Sequence, residues 1–276
     1  MKLRKVTAAS AVVLALAVSV TACGGDKKDD ASGGKKIKIG IKFDQPGLGL
    51  QEPDGSYSGF DVDVATYVAK KLGYQPNQIE WVQTKSADRE NALKRGDVKF
   101  IAATYSITDE RKQKVDFAGP YLLAHQDLLV KKGSNITKGT DLNGKKLCSV
   151  TGSTSAQNVQ KTIAPKANLR ELSGYSECVA GLQSGAVDAL TTDDSILAGF
   201  ASQDKYKGQF QLAGLKLSNE NYGIGVKKGD SATVDKINKA LEQMVADKSW
   251  DKAVEKNFGP AQYKNEPAPK IGDIVK

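Results

Sequence analysis

The stretch "ALKRGDVKFIAATYSITDER", residues 92–111, decides the fold. It opens on the end of a helix that stops at Gly96, passes into the apolar strand "VKFIAAT", and turns polar at once through Thr104, Ser106 and Arg111. A strand ending this way aims hydroxyls and a guanidinium at one spot. A planar, permanently charged guanidinium suits a small anion there. The same helix–glycine–strand grammar returns as "GLQSGAVDALTTD", residues 181–193. Leu93 and Leu182, Gly96 and Gly185, and Val98 and Val187 share one offset of 89 residues. At that offset Thr104 falls on Asp193.

Strand-like and helix-like segments alternate on either side. "KIKIGIKF" reads as a strand and "FDVDVATYVAKKLG" as a helix, with Val64, Val68 and Leu72 on one face and Gly73 as its stop. "QIEWVQT" reads as a strand, and "SADRENALKRG" as a helix with Ser86 as N-cap. The second half repeats the order: strand "KKLCSVT", helix "STSAQNVQKTI", strand "NLREL", helix "SECVAGLQSG", strand "VDALTT". Such alternation predicts parallel-rich sheets covered by helices, with ligands beyond the carboxyl ends of the strands. Thr104 and Asp193 both occupy such ends.

Two connectors, "YLLAHQDLLVKKGS" (121–134) and "SNENYGIGVKKGD" (218–230), each hold an extended apolar run closing in "VKKG". They predict two lobes joined by paired crossings, which make a hinge. Lobe 1 is expected over 37–124 plus 222–276 and lobe 2 over 125–221, with crossings near 125–130 and 219–227. The tail helices "ATVDKINKALEQMVADK" and "SWDKAVEKNFG" are expected to dock on lobe 1.

The N-terminus has a different logic. "MKLRK" is basic, "AVVLALAVSV" is too short to span a bilayer, and "VTAC" (20–23) ends the stretch with small residues before Cys23. It resembles a lipoprotein signal over residues 1–22, with Cys23 as the lipidated residue. Residues 23–36 read as a flexible tether of Gly, Ser and solvated charges. A diacylglyceryl anchor carries more than one acyl chain, as stable membrane retention requires. Loss of Lys2, Arg4 and Lys5 with the leader lowers the formal charge from +8 to +5. The lysines are spread and do not alternate with aromatics, so no nucleic acid partner is expected. Cys148 and Cys178 remain as an even pair in an oxidising location; bridged, they close a loop worth ~3–4 kcal/mol, and two buried thiols are the alternative. One His and two distant Cys give no metal spacing, and no cofactor is expected.

Five motifs carry a resemblance: "GSYSGFDVDVA", "ALKRGDV", "ATYSITDERKQKVDFAGPY", "TGSTSAQ" and "VDALTTDDSIL". In this order they resemble the family 3 extracellular solute-binding proteins, the polar amino acid receptors of ABC importers. With "DQPGLGL" and the Cys148/Cys178 pair, the chain most resembles the glutamate-binding lipoproteins of actinobacteria. The resemblance implies a two-lobed, periplasmic-binding-protein-like α/β fold with mixed sheets, helices on both faces and a two-strand hinge. It implies that Arg111 holds the ligand's α-carboxylate, that Thr104 and Ser106 add hydroxyl and backbone contacts, and that Asp193 takes the α-ammonium while Asp194 faces away. Lys42 and Arg89 match basic residues that hold the distal carboxylate in the family's acidic amino acid binders.

The chemistry agrees with these positions. "TGST" opens a helix, so N–H groups near Ser153 and Thr154 present positive charge to a carboxylate. An ammonium needs an acceptor-only anion, which Asp193 is. Arg89 stands in a first helical turn, where a cation opposes the dipole by ~0.3–1 kcal/mol. Taken singly, each residue has a milder reading: Arg111 as a surface ion pair, Thr154 as an N-cap, Asp193 as a turn former, Lys42 and Arg89 as solvated charges. His125 is expected to be a hinge hydrogen bonder, since it has no nucleophile or metal partner. Phe43, Tyr57 and Tyr105 either pack on the ligand or fill core.

The expected protein is therefore a monomeric receptor, lipid-anchored on the outer face of the cell membrane. It closes on glutamate, with aspartate second, and hands it to an ABC permease. A periplasmic dehydratase on the same fold would need a pair of carboxylates in the cleft, and no such pair is evident in the sequence. A sensing module would need an apolar span or signalling domain, and none follows "EPAPKIGDIVK".

Overall fold

The computed structural model describes residues 35–276. The expected leader, Cys23 and all but the last two residues of the tether lie outside the described residues. Among those described, no helix is long and apolar enough to cross a membrane.

The first strand, Ile37–Ile41, buries Ile37, Ile39 and Ile41 and exposes Lys38, the period-two pattern of a strand. It pairs in parallel with Ile79–Gln83 on one side and Phe100–Ile101 on the other. Helix Phe60–Lys71 covers these strands, burying Phe60, Val64 and Val68 at helical spacing. Asp61 and Asp63 stand in its first turn and Lys70 and Lys71 in its last, complementing the dipole. Phe60 meets Tyr121, Trp250 and Phe258 at ring separations of 6.2, 5.9 and 5.1 Å. Complete burial of one such ring contributes roughly 1.5–3 kcal/mol.

The second half repeats the arrangement. Strand Lys146–Val150 pairs in parallel with Asn168–Leu172 and with Ala189–Asp193. Helix Tyr175–Ser184 covers it and is tied to it by the Cys148–Cys178 disulfide. The repeat seen in the sequence has a conformational counterpart. Gly96 ends helix Arg89–Arg95 at φ 77°, and Gly185 ends Tyr175–Ser184 at φ 80°, both left-handed positions that favour glycine.

Two long strands make the sheets mixed. Val115–Lys131 runs antiparallel to Asn219–Lys227, with Val115 opposite Lys227 and His125 opposite Asn219. Beyond His125 the first of them leaves that partner and pairs instead with Ala189–Asp193, Gln126 opposite Asp193. The chain thus forms a two-lobed α/β fold whose lobes share two crossing strands. Helices Ser231–Ala246 and Ser249–Phe258 pack against Phe60–Lys71.

Four local expectations change. The first crossing strand begins at Val115, not 121, because "VDFAGP" pairs with the returning strand. Regular pairing of "VKFIAAT" is confined to Phe100–Ile101, since Thr104 turns left-handed at φ 45°. Ser86 does not cap the following helix: it lies in a short 3₁₀ turn, Ser86–Asp88, and its hydroxyl accepts from Lys42 Nζ at 2.8 Å. The helix opened by "TGST" is α-helical only over Thr154–Asn158, then widens into a π turn over Val159–Ile163.

The bridge closes a loop with a sequence separation of 30. Replacing both cysteines with serine is expected to lower the unfolding free energy by about 3 kcal/mol, read as a shift of the urea midpoint. An unchanged midpoint would contradict a stabilising role.

Candidate ligand-binding site

The polar end of the 92–111 stretch is held in an unusual backbone shape. Thr104 has φ 45°, a left-handed conformation that is costly for a β-branched residue. Its amide donates to Asp61 Oδ2 at 2.9 Å, and its hydroxyl donates to Ala103 O at 2.8 Å. Arg89 Nη1 donates to Ala103 O at 3.0 Å and to Thr104 O at 3.3 Å. Asp61 also accepts from the Tyr121 hydroxyl at 2.6 Å. Burial raises the Asp61 carboxyl to about 6, against the pull of its Tyr121 and Thr104 bonds and of nearby Lys42 and Arg89.

Thr108 caps the short helix Asp109–Lys112 by accepting from the Arg111 amide, which sets the direction of the Arg111 side chain. Arg111 Nη1 donates to Ser106 O at 2.8 Å, and Nη2 reaches Gly152 O in the other lobe at 3.0 Å. Gly152 sits at φ 78°, and a Cβ on it would lie 2.8 Å from Ala87 Cα, so only glycine permits this approach of the lobes. The Tyr105 ring lies beneath both guanidiniums, with Arg89 Cζ 3.9 Å and Arg111 Cζ 5.1 Å from its centre.

Lys42 and Arg89 are not solvated: they are 5% and 1% exposed. Among the described residues neither has a carboxylate within ion-pair distance, and the nearest to Arg111, Glu90, stands 3.9 Å from Nε. Arg89 Nε is buried without a hydrogen-bond partner. Burial, then the Arg89 charge, pushes Lys42 well below the usual lysine range. Burial, then the Arg111 charge, brings Arg89 down to about 10. Three cations therefore share one desolvated neighbourhood.

Across the cleft, Asp193 ends strand Ala189–Asp193 and begins helix Asp194–Ala201. Its Oδ2 accepts from the Tyr222 hydroxyl at 2.5 Å and its Oδ1 from Ser155 Oγ at 3.5 Å. Burial, then the Glu220 charge, raises Asp193 well above the usual carboxylate range, while Arg111 pulls it down. The adjacent Asp194 faces elsewhere, accepting from the amides of His125 and Ser195 and from the Tyr263 hydroxyl. Ser153 Oγ caps its own helix by accepting from the Ala156 amide, and Thr154 Oγ1 donates to Glu220 Oε2 at 3.0 Å. His125 binds Asn219 Oδ1 and Glu266 Oε1 at the crossing.

The structure thus gathers Thr104, Ser106, Arg111, Arg89 and Lys42 on one wall and Ser153, Thr154 and Asp193 on the other. A cavity of about 150 Å³ opens beside Lys42, lined by Phe43 and Thr84 from one lobe and Val150 and Tyr175 from the other. Phe43 meets Tyr57 at 4.9 Å and Tyr57 meets Trp81 at 6.0 Å, both tilted, so Tyr57 is one link of an aromatic chain. The sequence reading missed Asp61, Tyr105's role under the arginines, Glu220 and Tyr222. Asp61 looked like an ordinary first-turn acid, and Glu220 and Tyr222 like part of a connector. Alternation along "NENYG", which puts 220 and 222 on one face, was the available signal.

Replacing Asp61 with alanine leaves the Tyr121 hydroxyl and the Thr104 amide buried without an acceptor. This is expected to cost about 2–5 kcal/mol in chemical denaturation, with Asp61→Asn costing less because one oxygen still accepts. A loss within about 0.5 kcal/mol, typical of a surface site, would contradict the assignment.

Residues 37–260 match the model of the bacterial extracellular solute-binding proteins, family 3. The chain is 46% identical over 271 residues to the glutamate-binding protein GluB of Corynebacterium efficiens, covering 93% of this chain and 91% of that one. It is 38% identical to the glutamine-binding protein GlnH of Bacillus subtilis, covering 92% and 97%. Among solved structures, an ancestral arginine-binding protein bound to arginine superposes with a TM-score of 0.76 at 37% identity, covering 81% and 98%. The L-cysteine receptor of Neisseria gonorrhoeae gives 0.77 at 29%, covering 83% and 93%. By sequence match and by fold, the chain belongs to the family 3 bacterial extracellular solute-binding proteins.

Proposed function

We propose that this chain is the glutamate receptor of an ABC importer, with aspartate the second choice. Its relative GluB is named a glutamate-binding protein and GlnH the glutamine-binding protein of an ABC transporter, and the chain is a binding receptor, not an enzyme. Family members work outside the cytoplasm. One observation carries the choice of ligand: Lys42 and Arg89 are buried beside Arg111, and among the described residues neither has a carboxylate within ion-pair distance, while Arg111 has only Glu90, 3.9 Å from Nε. One cation suffices for an α-carboxylate; a second, distal carboxylate accounts for the other two. A buried charge is stable only when paired, and a dicarboxylic amino acid supplies the pairs.

In this reading Arg111 takes the α-carboxylate, with Thr104, Ser106 and the amides near Ser153 and Thr154. Asp193 takes the α-ammonium, and Lys42 and Arg89 take the far carboxylate. The lobes are 37–124 plus 222–276 and 125–221, turning about the crossings near 125–130 and 219–227. Contacts from Ser153, Thr154 and Asp193 join the site only on closure. The lipid on Cys23 would hold the monomer to the outer face of the membrane beside its permease. A micromolar receptor needs about 8 kcal/mol net, within reach of several charge-assisted bonds.

Calorimetry with a panel of amino acids is expected to rank glutamate at least tenfold, or about 1.4 kcal/mol, above glutamine. Lys42→Met should erase that ranking. Glutamine binding as tightly as glutamate to the native protein would overturn the ligand assignment. Arg111→Ala is expected to abolish measurable binding of every amino acid with little change in the unfolding midpoint, and retained affinity would overturn the role of Arg111.

A further inference from the structure

The returning strand Asn219–Lys227 does more than join the lobes. Alternation puts Glu220 and Tyr222 on one face, and both reach the second-lobe residues assigned to the ligand. Tyr222 donates to Asp193 Oδ2 and also contacts Ser195 Oγ at 3.2 Å. Glu220 Oε2 accepts from Thr154 Oγ1 at 3.0 Å, and Oε1 from Ser218 Oγ at 2.8 Å. Thr154 and Ser155 are consecutive, and Ser155 Oγ points at Asp193 Oδ1. Adjacent residues of one helical turn therefore donate to both carboxylates, Glu220 and Asp193, which are 5% and 4% exposed. Among the described residues neither lies within ion-pair distance of a Lys, Arg or His. The hydroxyl of Thr192, next to Asp193 in the chain, is also buried without a partner.

Two carboxylates desolvated in one neighbourhood, bonded by adjacent residues and with no described cation within ion-pair distance, oppose each other's ionisation. We propose that Glu220 is a second acidic residue of the ammonium site, and that its charge helps keep a proton on Asp193 which the ligand's α-ammonium displaces. The proton leaves to solvent, and no covalent bond changes. Around Asp193, burial, Glu220 and Asp194 oppose ionisation, while the Tyr222 hydrogen bond and the Arg111 charge favour it. The sign follows. A proton held in the free protein and lost in the complex competes with the ligand, so affinity falls as pH falls and binding releases acid.

The inference rests on the amino acid reading of the site, and the test separates the two. Glutamate is titrated into the native protein by calorimetry at pH 7 in phosphate and in Tris, whose ionisation enthalpies differ. The expected result is a buffer-dependent enthalpy equivalent to between about half and one proton released per ligand. Glu220→Gln keeps the shape and an acceptor for Thr154. In it the release should vanish, binding should weaken about tenfold and affinity should become flat between pH 5.5 and 8. The preference for glutamate over 2-oxoglutarate, which lacks the ammonium, should shrink by a similar factor. Binding without proton release in the native protein overturns this inference alone, and needs no variant to fold. A Glu220→Gln protein that keeps the native release overturns it too. If no amino acid binds at all, the functional reading falls and takes this one with it.

Discussion

The structure depends on keeping three like charges, Lys42, Arg89 and Arg111, away from water and near one another. Removing such charges from water costs several kcal/mol each, and the repulsion between them adds to it. The chain offsets part of this with neutral groups. Carbonyls of Ala103, Thr104, Ser106 and Gly152 receive the guanidinium hydrogens, the Tyr105 ring lies under both planes, and the Ser86 hydroxyl receives Lys42. None of these cancels charge. The buried anion nearest the group, Asp61, is occupied with Tyr121 and the Thr104 amide. The wall thus carries positive charge that these neutral partners do not cancel, at a cost the surrounding core must bear.

That core explains why the arrangement stays rigid. Asp61 belongs to a helix whose other buried residues, Phe60, Val64 and Val68, are locked against the first sheet and the C-terminal helices. The carboxylate therefore arrives at Thr104 from a fixed platform and stabilises its left-handed turn. The opposite wall hangs on the returning strand, through Tyr222 to Asp193 and through Glu220 to Thr154. In the proposed closure, a movement of the crossings would shift both contacts together and so link occupancy of the site to the angle between the lobes.

Much of this was legible in the sequence, for identifiable reasons. The alternating elements, the glycine stops at 96 and 185 and the strand end at Asp193 follow from periodicity and turn chemistry that act locally, whereas Thr104 lies beyond strand Phe100–Ile101. The family motifs singled out Arg111 and Asp193, and the likeness to the family's acidic amino acid binders added Lys42 and Arg89 as expectations. What stayed hidden depends on distant packing. Ser86 looks like an N-cap because serine before a helix commonly is one, yet Lys42, 44 residues earlier, takes its hydroxyl. Asp61 looks like a dipole partner, and only the folded sheet brings Thr104 to it across 43 residues. Glu220 and Tyr222 read as connector because nothing local marks which face of an extended segment turns toward a ligand. The dehydratase alternative lacks a carboxylate pair in the sequence, and the structure does bring the buried Glu220 and Asp193 to the adjacent residues Thr154 and Ser155, without changing the receptor assignment.

If buried cations grip both ends of a dicarboxylic ligand, the ligand's own titration reports it. Glutamate labelled with ¹³C at both carboxyl carbons, bound to the protein and followed by NMR as pH is lowered, gives each carboxyl's pKa in place. Both should stay ionised well below the ordinary side-chain value of about 4.3, for as long as the ligand remains bound. A distal carboxyl that titrates at its ordinary value would show that Lys42 and Arg89 do not hold it.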